Sequence, residues 1–401
     1  MSARIRGSVL GVSLLVVLYV VIGALLGQTA GEGAYKQLAV FSEVLSRIRS
    51  DYVEAPNLDR VTRGALHGLL EALDPYSSYL SPREFDEYKA KHDQAEGDVG
   101  LVLSKRFGMF IVISTLPDSP AARAGLLTGD MLESVAGFSS RGMSIEQARL
   151  LLAGEPGTGV TLSVVRQRRT EPFQLELIRA RVRPTEVVST TLEDDIAYLK
   201  VASFTPGKAE EIGRVLIRLE AAGARKLILD LRWCASGEAE EGIETARLLL
   251  EDGSVGYLQG QQYSRQDFPA HPDQTLWRGP VSVLINVGTA GPAELLAAAV
   301  LDNQRGEVIG ERSYGVGALQ KLIPLDDGAA LILSVAKYYR PSGEAIQGNA
   351  VTPSIAIERP DGEEALRPLR HAPPAPGDPA VLKALDVLRA ASAEQPAKKA
   401  A

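Results

Sequence analysis

The chain of 401 residues carries a single cysteine, Cys234, so no internal disulfide can form and a Cys-rich metal centre is excluded. It also lacks a dense stripe of lysine and arginine. With 43 basic against 50 acidic residues and a formal charge of −7, nucleic acid is not an expected partner. Its four histidines, His67, His92, His271 and His371, stand far apart. Nothing in the pattern calls for a cofactor or a metal. Long apolar runs are absent after the first 31 residues, and a chain 45% apolar and 23% charged is neither a polytopic membrane protein nor wholly disordered. Most of it should fold in water, and the length suits two or three domains.

The one long apolar run lies at the start. Arg4 and Arg6 precede an uncharged stretch from Gly7 to Gly31 with the centre VLGVSLLVVLYVVIGALL. That approaches the roughly 20 residues a spanning helix needs. Basic residues ahead of it should stay in the cytoplasm, placing the rest of the chain outside, in the bacterial cell envelope. Residues 1–31 are therefore read as an inner-membrane anchor, and the small residues at 27–31 leave cleavage as a signal segment open.

Residues 32–93 carry apolar positions at helical spacing, first Leu38, Phe41, Val44, Leu45 and Ile48, then Leu66, Leu69, Leu70 and Leu73. They predict two amphipathic helices, with a third starting near Pro82 behind a serine cap. Residues 94–182 hold five short β-like runs and one helix, SIEQARLLLAG, which predicts a small β-rich α+β domain. Residues 183–360 alternate strands with helices and predict a layered α/β fold. From 361 to 401 the composition turns to Pro, Ala and charge. That tail is expected to be disordered, with a short helix at 380–391.

The β-rich segment resembles the PDZ domain of bacterial proteases: Asp118-Ser119-Pro120-Ala121-Ala122-Arg123-Ala124-Gly125-Leu126, then Thr128-Gly129-Asp130, Gly137, a helix and Gly157-Thr158 before a Val-rich strand. A PDZ domain adds an extended peptide to a sheet edge and holds its terminal carboxylate on backbone N–H groups. The resemblance puts that loop at Gly97, Val99, Gly100 and Leu101, and the facing pocket at Ile145, Ala148 and Leu152. Asp98 is a departure, since its charge opposes a carboxylate. Peptides or protein C-termini are the expected partners.

The α/β segment resembles the carboxy-terminal processing proteases, serine peptidases of family S41, in three stretches. Asp230-Leu231-Arg232-Trp233-Cys234-Ala235-Ser236-Gly237 stands where the family has Leu-Arg-x-Asn-Pro-Gly-Gly, and the resemblance makes Gly237 an oxyanion donor. Asn286-Val287-Gly288-Thr289-Ala290-Gly291-Pro292-Ala293-Glu294 stands where the family has Asn-x-Gly-(Ser/Thr)-Ala-Ser-Ala-(Ser/Ala)-Glu. The nucleophilic serine falls on Gly291, which has no oxygen with which to form an acyl intermediate. The family's second oxyanion donor falls on Pro292, which has no N–H. In the third stretch, Gly310 to Gln320, the general-base lysine falls on Val316, and the residue that orients that lysine is retained as Gln320. A further run, Tyr338 to Gly348, is nearly intact and belongs to the scaffold.

Thr289, Ser236, Ser313, Cys234 and Lys321 lie near in sequence, but a substitute nucleophile must meet a base beside an oxyanion donor. The expectation is a non-catalytic pseudoprotease that binds peptides or proteins. The alternatives are an active endopeptidase using another nucleophile and a structural subunit, in a homo- or hetero-oligomer, of an active paralogue.

Overall fold

The computed structural model describes residues 36–398 apart from 95–96, 168, 170, 194, 360–361 and 367–371. The apolar run expected to anchor the chain lies outside the described residues, and among those described no helix is long and apolar enough to cross a membrane. The chain divides into two compact units, residues 1–65 and 66–401. In the first, helix α1 (36–51) half-buries only Phe41, Leu45 and Ile48, one stripe of an otherwise exposed helix. Helix α2 (Leu58–Glu71) follows, and its Leu66 and Leu70 pack with Tyr79.

Asp74 shapes the next turn by accepting from the N–H groups of Tyr76 (2.7 Å) and Ser77 (2.8 Å). The turn delivers strand β1 (Ser78–Leu80), and helix α3 (Pro82–Gln94) starts at a cap in which Ser81 donates to Glu84 from both N–H and hydroxyl.

The β-rich domain runs β2 (Leu101–Arg106), β3 (Met109–Thr115), α4 (Pro120–Arg123), β4 (Met131–Val135), β5 (Phe138–Ser139), α5 (Ile145–Leu152), β6 (Gly159–Val165) and β7 (Phe173–Ile178). Its antiparallel sheet has the order β2-β3-β4-β6-β7, with β5 paired to β4, so β2 is an edge. The predicted strands and helix all form.

The α/β core then runs β8 (Val188–Glu193), β9 (Ile196–Lys200), α6 (Lys208–Ala221), β10 (Lys226–Asp230), α7 (Ala239–Arg247), β11 (Ser254–Gln259), β12 (Gln266–Pro269), β13 (Val281–Ile285), α8 (Pro292–Asp302), β14 (Gly306–Gly310), β15 (Ala318–Pro324), β16 (Ala330–Tyr339), β17 (Ile355–Ala356) and α9 (Pro379–Lys398). One sheet has the order β17-β14-β13-β10-β9-β8 and is parallel except for β8 on β9. A second, antiparallel sheet has the order β1-β16-β11-β12 with β15 on β16, so the N-terminal strand is paired far along the chain, Ser78 opposite Ile332.

Parallel strands bury both faces. Leu227 and Leu229 turn toward α6, α7 and α8, whereas Ile228, Tyr198, Leu284 and Ile309 turn to the other side. There the helix expected at 380–391 forms as the longer α9, so this part of the tail is ordered where most of it was expected to be disordered. Ala380, Val381, Ala384, Leu385 and Leu388 of α9 cover that face, because alanines at helical spacing can approach a sheet closely even where proline and charge dominate the surrounding composition.

Leu388 is 1% exposed in this layer. Leu388→Ala is expected to lower unfolding stability by about 3 kcal/mol in a urea titration, as for other buried leucines. A change within a few tenths of a kcal/mol would mean that α9 does not close the core.

Candidate active site

Three loops at the ends of core strands converge on a cleft of about 500 Å³. The first leaves β10. Its Trp233 N–H donates to the Asn286 side chain (3.0 Å), and its Cys234 carbonyl accepts from Ala290 N–H (2.9 Å). The second leaves β13, where Asn286 N–H donates to the Thr289 hydroxyl (3.0 Å) and that hydroxyl donates to the Leu231 carbonyl (2.9 Å). The third leaves β14 and is joined to the second by Tyr314 N–H donating to the Thr289 carbonyl (2.9 Å). All three frames are therefore fixed by backbone as much as by side chains.

Gly291 sits at the N-terminus of α8 with φ +63° and ψ −123°, the sharp strand-to-helix bend that exposes a nucleophile in other hydrolases. A Cβ built there meets nothing within 4 Å. Pro292 follows as the first helical residue and is buried. Gly237 has φ +120°, and a Cβ on it would lie 2.2 Å from the Phe204 carbonyl oxygen, so the position requires glycine. Among the described residues no acceptor takes the Gly237 N–H. Gly237, Gly291, Pro292 and Val316 all line the cleft. It therefore holds an unengaged N–H at Gly237 and the bend at Gly291, with no side-chain oxygen at Gly291 and no side-chain nitrogen at Val316.

Residues 195–357 match Peptidase family S41, and residues 111–166 match the PDZ domain. The carboxy-terminal-processing protease of Bartonella bacilliformis is 30% identical over 334 residues, which cover 82% of this chain and 77% of that protein. The chain belongs to the carboxy-terminal processing protease family. The carboxy-terminal processing protease CtpA of Bacillus subtilis is 29% identical over 342 residues, 84% of this chain and 72% of that protein. Among solved structures, a photosystem II D1 C-terminal processing protease has a similar fold, with TM-score 0.68 and 24% identity over 83% of this chain and 98% of that one.

In this family member two of the other candidate nucleophiles, Ser313 and Cys234, are engaged or buried. Ser313 donates to Glu294 and accepts from Val351 N–H (2.7 Å). Burial pushes the Cys234 thiol far above its ordinary range, which keeps it a thiol. Ser236 does line the cleft, but among the described residues no histidine and no lysine lines it with Ser236. Gln320 does not line the cleft, and its amide donates to the Tyr76 carbonyl (2.7 Å).

In the PDZ domain the expected pocket residues are displaced. Ile145, Ala148 and Leu152 are buried in its core with Val99, Leu103 and Phe110, because the apolar stripe of α5 is the face the sheet needs. The α5 side chain that reaches the cleft is Arg149. Gly97 pairs with Gly154 across an isolated bridge, Gly100 lies against Ser119, and Leu101 lines the cleft.

Sequence reasoning missed two residues. Tyr76, from the turn before β1, lines the cleft, and its phenol donates to Ser104 (3.0 Å). Glu294 is fully buried, and its carboxylate accepts from Gly291 N–H (2.9 Å), Val316 N–H (2.8 Å), Gly315 N–H (2.7 Å) and the Ser313 hydroxyl. An acid three residues into an otherwise apolar helix is the signal that could have found it.

Burial pushes the Glu294 carboxyl up to about 7, against the four hydrogen bonds that favour its charged form. A folded value above the unfolded one means that the native state holds the proton longer. Stability from this group is thus fully present below about pH 4.5 and is lost as pH rises to about 7. The loss is on the order of 3 kcal/mol. Glu294→Gln should flatten that part of the stability profile in urea titrations between pH 5 and 8, and should cost about 1–3 kcal/mol at pH 5 by facing an amide N–H with backbone N–H groups. An unchanged slope would remove Glu294 as its source.

Proposed function

We propose that this chain is a non-catalytic member of its family, a pseudoprotease that holds extended polypeptide in the cleft between the PDZ edge strand and the vacant protease site. The observation that carries the reading is the pairing of Gly291 with Val316 across one cleft. A serine–lysine protease needs an oxygen at the first position and a nitrogen lone pair at the second. Loss of Pro292 as a donor adds to the deficit, since one oxyanion donor is typically worth about 3 kcal/mol. The intact bend at Gly291 and the free N–H of Gly237 support a retained shape without retained chemistry.

The full chain should leave an unfolded model protein uncleaved. Gly291→Ser with Val316→Lys should restore little, because a residue other than glycine is strained at φ +63° and one oxyanion donor is missing. Adding Pro292→Ala should raise the rate over the double variant by about 10²-fold, the worth of one donor. Cleavage by the unmodified chain that is abolished by Ser236→Ala would sink the pseudoprotease reading.

The same proposal puts the folded part outside the inner membrane of a bacterial envelope, on the strength of Arg4 and Arg6 ahead of the apolar run. A periplasm-dependent reporter fused after Ala401 should be active. Activity of a cytoplasm-dependent reporter at that point would overturn the placement.

A further inference from the structure

We infer that Asp98 fills, from within the chain, the seat where a peptide's terminal carboxylate would lie, so that the β2 edge takes a segment from the interior of a polypeptide rather than its free C-terminus. This rests on the peptide-binding reading above and adds the class of ligand.

The loop before β2 has two donors that turn away from the sheet. Ala121 N–H donates to the Val99 carbonyl (2.9 Å), which turns the Gly100 N–H the opposite way. There it meets Asp98, whose Oδ1 accepts it at 2.5 Å. Leu116 N–H likewise donates to the Gly100 carbonyl (2.9 Å), which turns the Leu101 N–H away from β3. A carboxylate arriving at this pair would find one donor taken and a like charge beside the other.

The Asp98 backbone is held on both sides. Its N–H donates to the Ala180 carbonyl (2.9 Å) and its carbonyl accepts from Ala180 N–H (3.0 Å), while Gly97 and Gly154 exchange two hydrogen bonds of 3.0 Å. The loop therefore cannot carry the carboxylate away as a unit. Beyond it β2 is an unpaired edge, and Leu101, Val102 and Leu103 share the cleft with Gly237 and Gly291. An uncharged backbone can pair with this edge and continue past Asp98 in the other direction, as strand addition allows.

The test uses the full chain in detergent micelles. A random dodecapeptide library is displayed on phage in two ways, with the peptide inside a fusion and with its C-terminus free. Retained sequences are then synthesised as free acid, as amide and with four serines appended, and binding is read by fluorescence anisotropy. The unmodified chain should bind the three forms with Kd values within about threefold of each other. Asp98→Gly should prefer the acid over the amide by tenfold or more. Asp98→Asn keeps an acceptor for Gly100 without the charge, and should shift toward the acid by at least threefold; it decides the matter if Asp98→Gly fails to fold in a melting scan. A tenfold preference of the unmodified chain for the acid, or no shift in either variant, overturns the role of Asp98 and leaves peptide binding standing. Retention of no peptide in either display overturns peptide binding itself, and this inference with it.

Discussion

A buried carboxylate organises the cleft. Glu294 gathers hydrogen bonds from the bend at Gly291 and from Ser313, Gly315 and Val316 on a neighbouring loop, so a single side chain sets the distance between the two positions where a serine–lysine pair would stand. Hydrogen bonds to a charged group are worth about 1.5–3 kcal/mol each, and an unpaired buried carboxylate is costly, so the four donors and the acid are mutually required. None of them touches the missing chemistry. The loops can keep their shape after the reacting atoms are gone, because what holds them is the Glu294 carboxylate with three backbone N–H groups and the Ser313 hydroxyl.

A second buried network ties the loop after β10 to the start of α9. Asp230 is enclosed and would be pushed up by burial, but Arg232 and Lys200 outweigh that and hold its carboxyl well below the usual range. Tyr198 donates to it at 2.6 Å, and Arg232 reaches on to Asp378 (2.8 Å) at the start of α9. Lys200 lies 3.6 Å from Asp230 without a hydrogen bond, and burial lowers its affinity for a proton. Such a cluster stabilises little relative to an apolar one but is costly to break, which favours one arrangement of the segment leading to Gly237.

The sequence was most legible where short strands alternate regularly. Five of the six strands of the PDZ domain and its helix α5 follow from periodicity, as do β9, β10, β13 and the helices α6, α7 and α8. β8, β12 and β15 were not read, because polar, half-exposed edge strands carry a weak period, and the pairing of β1 with β16, some 250 residues later, is one that no local pattern encodes. For the site, the motifs named Gly237, Gly291, Pro292 and Val316, and the fold brings these four to one cleft. They could not separate the two uses of an apolar helix face, so Ile145, Ala148 and Leu152 were read as pocket when they are core. Glu294 was passed over because its importance lies in partners on another loop, Ser313, Gly315 and Val316, 19 to 22 residues away, which only the fold assembles.

The position of α9 sets the order in which the core can be completed. The helix is synthesised after every strand it covers, yet Ile228, Tyr198 and Leu284 have their other face open until it docks. A ribosome that has made the whole sheet has still not made the layer that shields it. Completion of the core therefore comes later than synthesis of the sheet itself, and until then the sheet is the part of the nascent chain that needs protection from other unfolded chains.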